Sequence, residues 1–322
     1  MNYLYKSLPK IEAESVDNAL EVLNCQYKAI QAPLSYSFDG EDRNPPYHAA
    51  VIASDNGDCL GVHSSRYGIL QFDESLSFLN SLMSDESKHK IIIERGVTTY
   101  NRARIYLVLR SEEKYALSDV EAIHNYFVVS TTHDGSGTLN ILNTPVHEST
   151  QQELRSVITP MGKGLIKIRH SHNAAMILQR TRNIVDKVYT EWQENIKTFR
   201  LMANSKISDE DAKELIFKKV VEGNSTRADN IRAKMFDIFS LLGAAAKIPS
   251  CQSTIFGCYM AVVQYADQFK TVRASSKGLS TLESRVESSL NGAAAEDKAK
   301  AYKISRGLAM GRKMFEMAQP KV

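Results

Sequence analysis

The sequence predicts an α+β chain in which a β-rich first half is followed by a helical second half and a basic tail. Strand-like apolar runs separated by turn residues fill the first half, and the hydrophobic spacing changes to a helical period from about residue 173. We therefore expect a β-rich domain over residues 1–172, a helical region over 173–270 packed on it, and a partly flexible tail over 271–322. The composition, 43% hydrophobic and 24% charged over 322 residues, is that of a globular protein.

The first half is expected to form an antiparallel or mixed sheet with one or two helices. Residues 48–70 predict a hairpin, because the Asn56-Gly57 pair supplies the positive φ values that a tight turn requires. A helix is predicted over 73–83, where apolar residues recur at helical spacing behind an acidic first turn. Further strands are predicted over 88–100, 103–110 and 125–146, the last broken by the turn at 133–137, where two glycines relieve backbone strain.

The second half shows capped helices. A long amphipathic helix is predicted from about Asn173, with Trp192 and Phe199 on its apolar stripe. Polar and acidic residues before 212–221 and at Thr226 indicate two further helix starts, and a helix is expected from Thr254 to about residue 269. The last fifty residues are rich in Ser, Gly, Ala and Lys, which favours an arm with one helix over about 296–317.

The near-neutral total charge hides an electrostatic division. Residues 1–150 carry 12 basic and 20 acidic side chains, a net charge of −8, whereas residues 151–322 carry 28 and 17, a net charge of +11. Such asymmetry indicates that the basic half meets a polyanion, or that opposite faces of neighbouring copies attract one another. The alternative is that the charges lie on solvent-exposed helix faces and bind no partner.

The cellular setting follows from what the sequence lacks. No apolar run reaches the roughly 18–20 residues of a membrane-spanning helix, and the first twenty residues lack the order of a signal peptide. We therefore expect a cytoplasmic protein that does not meet a membrane. Cys25, Cys59, Cys251 and Cys258 have no C-x-x-C spacing, so they are interpreted as small apolar residues rather than a zinc site or redox pair.

The order of several short segments resembles a phage/plasmid-like family classed as a domain of unknown function, number 932 among such domains. The resemblance covers nearly the whole chain and is carried by Leu60-Gly61-Val62, Arg66 to Gln71, Phe78-Leu79, Thr131 to Ser136, Thr144-Pro145-Val146, Ile168 to Asn173, Phe256-Gly257 and Gln264 to Asp267. It implies a mobile-element or phage origin, in a phage-infected or plasmid-bearing bacterial host. The chain departs from the family where His147 to Gln151 replace a cysteine-containing run and Phe256 replaces a Trp, so a role built on that cysteine would be absent.

No recognised catalytic motif is present. The nucleophile elbow, the H-E-x-x-H zinc motif, the phosphate loop and the G-x-G-x-x-G fingerprint are all missing, so we predict a protein that is not an enzyme and that needs no cofactor. A metal site formed by His133 and Asp134 with His170 and His172 is an alternative, because imidazole and carboxylate groups ligate metals. Turn stabilisation by Asp134 and hydrogen bonding by the histidines is the simpler interpretation.

Two segments are candidates for binding nucleic acid. Residues 161–182 contain five basic residues and no acid, which suits phosphate contact, and these are Lys163, Lys167, Arg169, Arg180 and Arg182. A predicted strand over 99–106 alternates tyrosine with arginine, which would offer stacking surfaces between phosphate contacts, through Tyr100, Arg102, Arg104 and Tyr106. The alternative is that the arginines lie on the solvent-exposed face of an edge strand and bind no nucleic acid, which would give the same alternation.

These observations favour a mobile-element accessory that coats or anneals single-stranded DNA in recombination. Non-specific phosphate contacts and base stacking would hold the strand, and the opposite charges of the two halves would help copies pack into a homo-oligomer. The alternative is an oligomeric virion or host-antagonist protein that assembles through its amphipathic helices without nucleic acid.

Overall fold

An antiparallel sheet of long strands forms the centre of the β-rich half. The computed structural model of the protein describes residues 8–84, 91–118, 121–135, 138–143, 146–149, 157–158, 166–169, 182–244, 248–272 and 278–318. Within them, the strands of the main sheet are β1 (Lys10–Ala13), β7 (Ile91–Thr99), β8 (Arg104–Ser118), β9 (Glu121–Thr132), β10 (Thr138–Asn143), β11 (Val146–Ser149), β12 (Val157–Ile158) and β13 (Ile166–Arg169). Their order in the sheet is β1-β7-β8-β9-β10-β13, and a short β11–β12 pair extends from β9.

Two smaller sheets lie earlier in the chain. β2 (Ala29–Ala32), β5 (His48–Ala53) and β6 (Cys59–Ser64) pair in the order β2-β5-β6, and the hairpin of β3 (Tyr36–Phe38) and β4 (Glu41–Arg43) stands between β2 and β5 in sequence. The predicted β5–β6 hairpin is confirmed, with Gly57 at a φ of +76° in its turn. Helix α1 (Val16–Val22) and the short helices α2 (Phe72–Leu76) and α3 (Phe78–Met83) complete this part, so the predicted helix over 73–83 forms with a break at Ser77.

The second half is helical, as the sequence predicts. Its long helices begin with α4 (Arg182–Asn204), and a helix that we call α5 runs from Asp209–Asp211 through a π-helical stretch (Ala212–Phe217) to Lys218–Val220. Helix α6 (Thr226–Ala244), a 3-10 turn (Pro249–Cys251), α7 (Ile255–Gln264) with a π-helical end (Tyr265–Phe269), α8 (Thr281–Asn291) and α9 (Ala293–Ala318) follow. Ser208 accepts a backbone N–H at the start of α5, so the predicted cap there is confirmed. Helix α6 begins at Thr226 as predicted, but the residue that accepts a backbone N–H at its start is Ser225. Thr254, where a helix was predicted to begin, accepts a backbone N–H at the start of α7.

The tail over 271–322, predicted to be partly flexible with one helix over about 296–317, is helical over most of its described residues: α9 confirms the predicted helix, and α8 precedes it. Helices α8 and α9 pack into the fold because their small residues recur at helical spacing, and Ala301 and Ala309 are fully buried. Ser280 and Glu283 form a capping box that starts α8. Residues 273–277 and 319–322 lie outside the described part of the chain.

The main sheet is covered on both faces. Side chains of β8 at alternate positions, such as Leu107 and Leu109, face a large core shared with α1, α2 and the helical half. The intervening positions, such as Val108, face a smaller cluster to which α8 contributes Val286 and Leu290. Burial on both sides explains why these strands contain near-continuous apolar runs, and it brings α8 close to the start of β8.

Candidate nucleic-acid interface

A tight turn joins β7 to β8 and places the predicted tyrosine and arginine residues differently from the sequence prediction. Tyr100, Asn101 and Arg102 adopt left-handed backbone conformations, with φ values of +54°, +53° and +66°. Each such conformation costs a non-glycine residue of order 1–3 kcal/mol, so tertiary contacts must hold the turn. The predicted continuous strand over 99–106 is therefore wrong, because β8 begins only at Arg104.

Arg102 anchors this turn to the first part of the chain. Its guanidinium donates to the carbonyl of Asn24 at 2.8 Å and to the carboxylate of Asp55 at 2.7 Å, and it lies over the ring of Tyr27 with 5.0 Å to the centroid. The hydrogen bond from Arg102 lowers the pKa of Asp55. With 17% of its side chain exposed, Arg102 holds the turn in place and presents little charge to solvent.

Arg104 lies between two carboxylates on one face of the main sheet. Its Nε donates to Asp134 at 2.6 Å, and a terminal nitrogen donates to Glu287 of α8 at 2.8 Å. Burial disfavours the charged form of Arg104, but the two carboxylates outweigh it and raise the pKa. Because two acids surround one cation, this cluster carries a net negative charge and does not attract phosphate by itself.

The two tyrosines also belong to this cluster. Tyr106 is 1% exposed and donates its hydroxyl to Glu287 at 2.8 Å, so no face of its ring is available to a base in this conformation. Tyr100 is half-buried, and the guanidinium of Arg104 lies 4.2 Å from its ring centroid. Thr99 donates a third hydrogen bond to Glu287 at 2.8 Å, which fixes α8 against β7 and β8.

The strand register brings part of the basic segment onto the same sheet face. Tyr106 pairs with Ser130, Ser130 with Asn140, and Asn140 with Lys167 of β13, so all four positions lie in one cross-strand row. Three strand spacings of about 4.8 Å separate Tyr106 from Lys167 by about 14 Å. Position 169 is two residues further along β13, and its backbone pairs with that of Thr138.

One end of this face of the main sheet has polar residues at its backbone positions, and we call it the polar sheet face. Its positions are those of Arg104, Ser130, Thr132, Asn140, Lys167 and Arg169. It borders an apolar cluster on the same face that includes Val108, Val128 and Leu142. Thr132 pairs with Arg104 and is 5% exposed, and its hydroxyl has no hydrogen-bond partner within the described residues. A buried hydroxyl without a partner costs about 1–3 kcal/mol, which makes this a place where a polar ligand would be stabilising.

The remaining basic candidates are only partly described. Lys163 and Arg180 lie outside the described residues, and Arg182 is the first residue of α4. His170 and His172 also lie outside them, so the alternative metal site is not described as a whole.

His133 itself is used within the fold. One ring nitrogen lies 3.1 Å from the carbonyl of Leu70 and the other 3.3 Å from the hydroxyl of Tyr27, while Phe72 stacks on the ring with 3.9 Å between centroids. Among the residues that the structure describes, no three His, Cys, Asp or Glu side chains are grouped as metal ligands.

Gly135 completes the adjacent turn with a φ of +66°, and a Cβ there would lie 2.2 Å from the ring of His63.

A comparison with protein-family models matches residues 59–289, and the description of the matching family is Domain of unknown function (DUF932). The chain belongs to the DUF932 family. No curated protein and no solved structure matched the chain. The matched DUF932 region contains both sides of the Arg104 cluster, because it includes β8 as well as Glu287 of α8.

The DUF932 chain also has a basic groove that the sequence prediction missed. The groove has a volume of about 760 Å³ and lies between the end of α5, helix α6, the π-helical end of α7 and α9. Its polar side chains come from Arg227, Asn230, Lys234, Tyr265, Lys270, Thr271 and Asp297. Arg227 and Lys234 are seven residues apart, which places them two turns apart on one helix face, so the spacing in the sequence contained this signal.

No helix in the described parts of the DUF932 chain has the length and apolar character needed to cross a membrane.

Proposed function

We propose that this protein is a mobile-element accessory that binds single-stranded nucleic acid non-specifically, without catalysing a reaction. The observation that carries the proposal is the strand register: backbone position 167 of the basic strand β13 lies in one cross-strand row with Asn140 and Ser130, two residues from Thr132, whose buried hydroxyl has no hydrogen-bond partner among the described residues. A basic edge strand beside a polar sheet surface is a common platform for single strands, because phosphates contact the cations while the bases remain accessible.

The structure changes which residues we assign to phosphate contact. Arg102 and Arg104 are held by Asp55, Asp134 and Glu287, so they position the turn and the sheet edge. Phosphate contact is then left to Lys167, Arg169 and the basic residues flanking β13 at 163, 180 and 182. The net charge of +11 over residues 151–322 would attract the strand at long range.

Fluorescence anisotropy with a labelled single strand and the matching duplex, each over a salt series, tests this proposal. A strand of about 40 nucleotides is long enough for several binding sites of roughly 4–16 nucleotides. Loss of two phosphate contacts in Lys167→Glu/Arg169→Glu should reduce the slope of log Kobs against log salt by about 1.4, since each contact contributes about 0.7 on a single strand.

The matched control reverses two charges elsewhere in the basic half. Lys197 and Lys218 lie on exposed helix surfaces, and their ion pairs within the described residues are with neighbouring glutamates, so Lys197→Glu/Lys218→Glu changes the net charge equally. We expect this control to retain most of the salt slope. Equal slopes in both double variants, or no binding at low salt, would overturn the assignment of the polar sheet face.

A self-assembling protein without nucleic acid is the second candidate, and one observation favours it. All residues of the β3–β4 hairpin are exposed, and its aromatic side chains Tyr36 and Phe38 are 51% and 54% exposed. Nearby, Tyr47 is 76% exposed. Exposed aromatic clusters of this kind mark protein contacts more often than isolated apolar residues do.

Size-exclusion chromatography with light scattering separates the two candidates. An oligomer that forms without DNA, does not change when oligonucleotide is added, and dissociates in Tyr36→Ser/Phe38→Ser would favour the assembly function. A particle whose mass increases with oligonucleotide would favour the nucleic-acid function.

A further inference from the structure

The basic groove of the helical half contains cations that the fold does not neutralise. Arg227 is exposed and forms no ion pair or hydrogen bond with the described residues. Lys234 lies over the ring of Phe269, with 4.7 Å from its Nζ to the centroid, and likewise has no ion pair among the described residues. Lys270 is paired with Asp297 at 2.5 Å. With three cations and one acid, the groove has a net charge of +2.

The walls of the groove are fixed by contacts behind it. Arg232 donates to the carbonyls of Val221 and Gly223 at 2.9 and 2.8 Å, which holds the chain after α5 against α6. Lys270 also donates to the carbonyl of Ala293 at 3.0 Å and thereby joins α7 to α9. A cationic site of fixed shape binds anions better than a flexible one, because little conformational entropy is lost on binding.

The lining combines the charges with apolar surface. Val220, Val221, Ile231 and Phe269 line the groove together with Asn230 and the hydroxyl-bearing Tyr265. Burial, with a contribution from Asp297, raises the pKa of Tyr265, so its hydroxyl remains a proton donor at neutral pH. A volume of about 760 Å³ suits a small ligand rather than a folded partner.

We propose that this groove binds a nucleoside 5′-phosphate, either free or as the terminal unit of a strand. The phosphate would be held by Arg227 and Lys234 through charge-assisted hydrogen bonds, and the base would lie against the apolar wall, where Asn230 can donate to and accept from its edge. This site is distinct from the polar sheet face, since none of its lining residues belongs to the main sheet. The inference therefore does not depend on strand binding by β13.

Isothermal titration calorimetry tests the groove with the four deoxynucleoside triphosphates, the corresponding nucleosides and inorganic triphosphate. We expect the nucleotides to bind, the nucleosides to bind much more weakly, and inorganic triphosphate to bind more weakly than the nucleotides. Loss of one charged hydrogen-bond donor in Arg227→Gln or Lys234→Gln should weaken binding by about tenfold or more.

The control removes the same charge from an exposed surface of α9. Lys303 and Arg306 are exposed, lie outside the groove and form no ion pair with the described residues, so Lys303→Gln/Arg306→Gln is matched to Arg227→Gln/Lys234→Gln. Thermal melts of both double variants show whether folding is retained. Circular dichroism of each variant should match that of the wild type.

Three results would overturn the inference. These are no binding of any phosphate compound at about 1 mM, equal losses in the groove and control variants, or equal affinity for inorganic triphosphate and nucleotides.

Oligonucleotides with and without a 5′-phosphate identify the source of the ligand. A preference for the phosphorylated strand that disappears in Arg227→Gln/Lys234→Gln would assign a strand end, whereas binding of free nucleotides alone would assign a small molecule. Nucleotide binding by a protein that fails to bind strands would reject the proposed function and support the groove.

Discussion

The buried Lys298 gives the sharpest prediction about stability. Its ammonium group is 0% exposed and donates to Asp267 at 2.7 Å and to Ser289 at 2.6 Å, and Ser289 donates to Asp267 at 2.6 Å. Burial lowers the pKa of Lys298, and the nearby carboxylate opposes this shift. Lys298 belongs to α9, Asp267 to the π-helical end of α7 and Ser289 to α8, so their hydrogen bonds hold these three helices together.

Replacing this lysine with methionine should be strongly destabilising. Lys298→Met keeps the length of the side chain but leaves the carboxylate of Asp267, 3% exposed, without its cation. Removing one partner of a buried ion pair costs about 3–5 kcal/mol. For 322 residues, at about 2.1 cal/mol/K of unfolding entropy per residue, each kcal/mol shifts the melting temperature by about 1.5 °C, so it should fall by roughly 4–7 °C.

Two further variants isolate the cause in thermal melts followed by circular dichroism. Lys300→Met, on the same helix, breaks an exposed pair with Glu222 and should leave the melting temperature almost unchanged, because solvent screens the pair. Lys298→Met/Asp267→Asn removes both charges and should recover much of the loss, because no uncompensated charge then remains buried. Equal melting temperatures for Lys298→Met and Lys300→Met, or a double variant less stable than Lys298→Met, would refute this reasoning.

Three other predictions concern the thiols, the turn after β7 and α8. A chromogenic thiol reagent should label Cys59 rapidly in the native protein and all four cysteines after denaturation, because the other three are buried; rapid labelling of a second thiol would contradict the packing. Arg102 lowers the pKa of Asp55, so their pairing stabilises the fold above the unfolded-state pKa of about 3.9 and is lost as the pH falls through the lower folded-state value. Urea unfolding should therefore show Asp55→Asn to be less stable than the wild type at neutral pH, with a difference that disappears in acid; a constant difference would argue against the ion pair. Glu287→Gln weakens the contact with Arg104 and should cost on the order of 2–3 kcal/mol in the same assay, and an unchanged midpoint would show that α8 is held by apolar contacts alone.

The sequence was sufficient where local patterns decide the structure. Helical spacing and capping residues located α5, α6 and α7, and the Asn56-Gly57 pair located the hairpin of β5 and β6. Local patterns were insufficient at Tyr100 and Arg102, because nothing in an alternating Tyr/Arg run indicates three left-handed residues held by distant partners. Helix α8 was missed for a related reason, since small residues with low hydrophobicity still pack closely when neighbouring helices cover them.

By itself the sequence determined the β-rich and helical halves, their opposite charges and the family resemblance, since periodicity, composition and motif order are all properties of the linear chain. Only the tertiary structure decided which charges are compensated. Asp134 and Glu287 are 30 and 183 residues from Arg104, yet they neutralise it, whereas Arg227 and Lys234 remain available in a groove assembled from four helical segments. The physical reason is that a charge's effect depends on its distance from other charges and from water, and these distances are set by the packing of residues far apart in sequence.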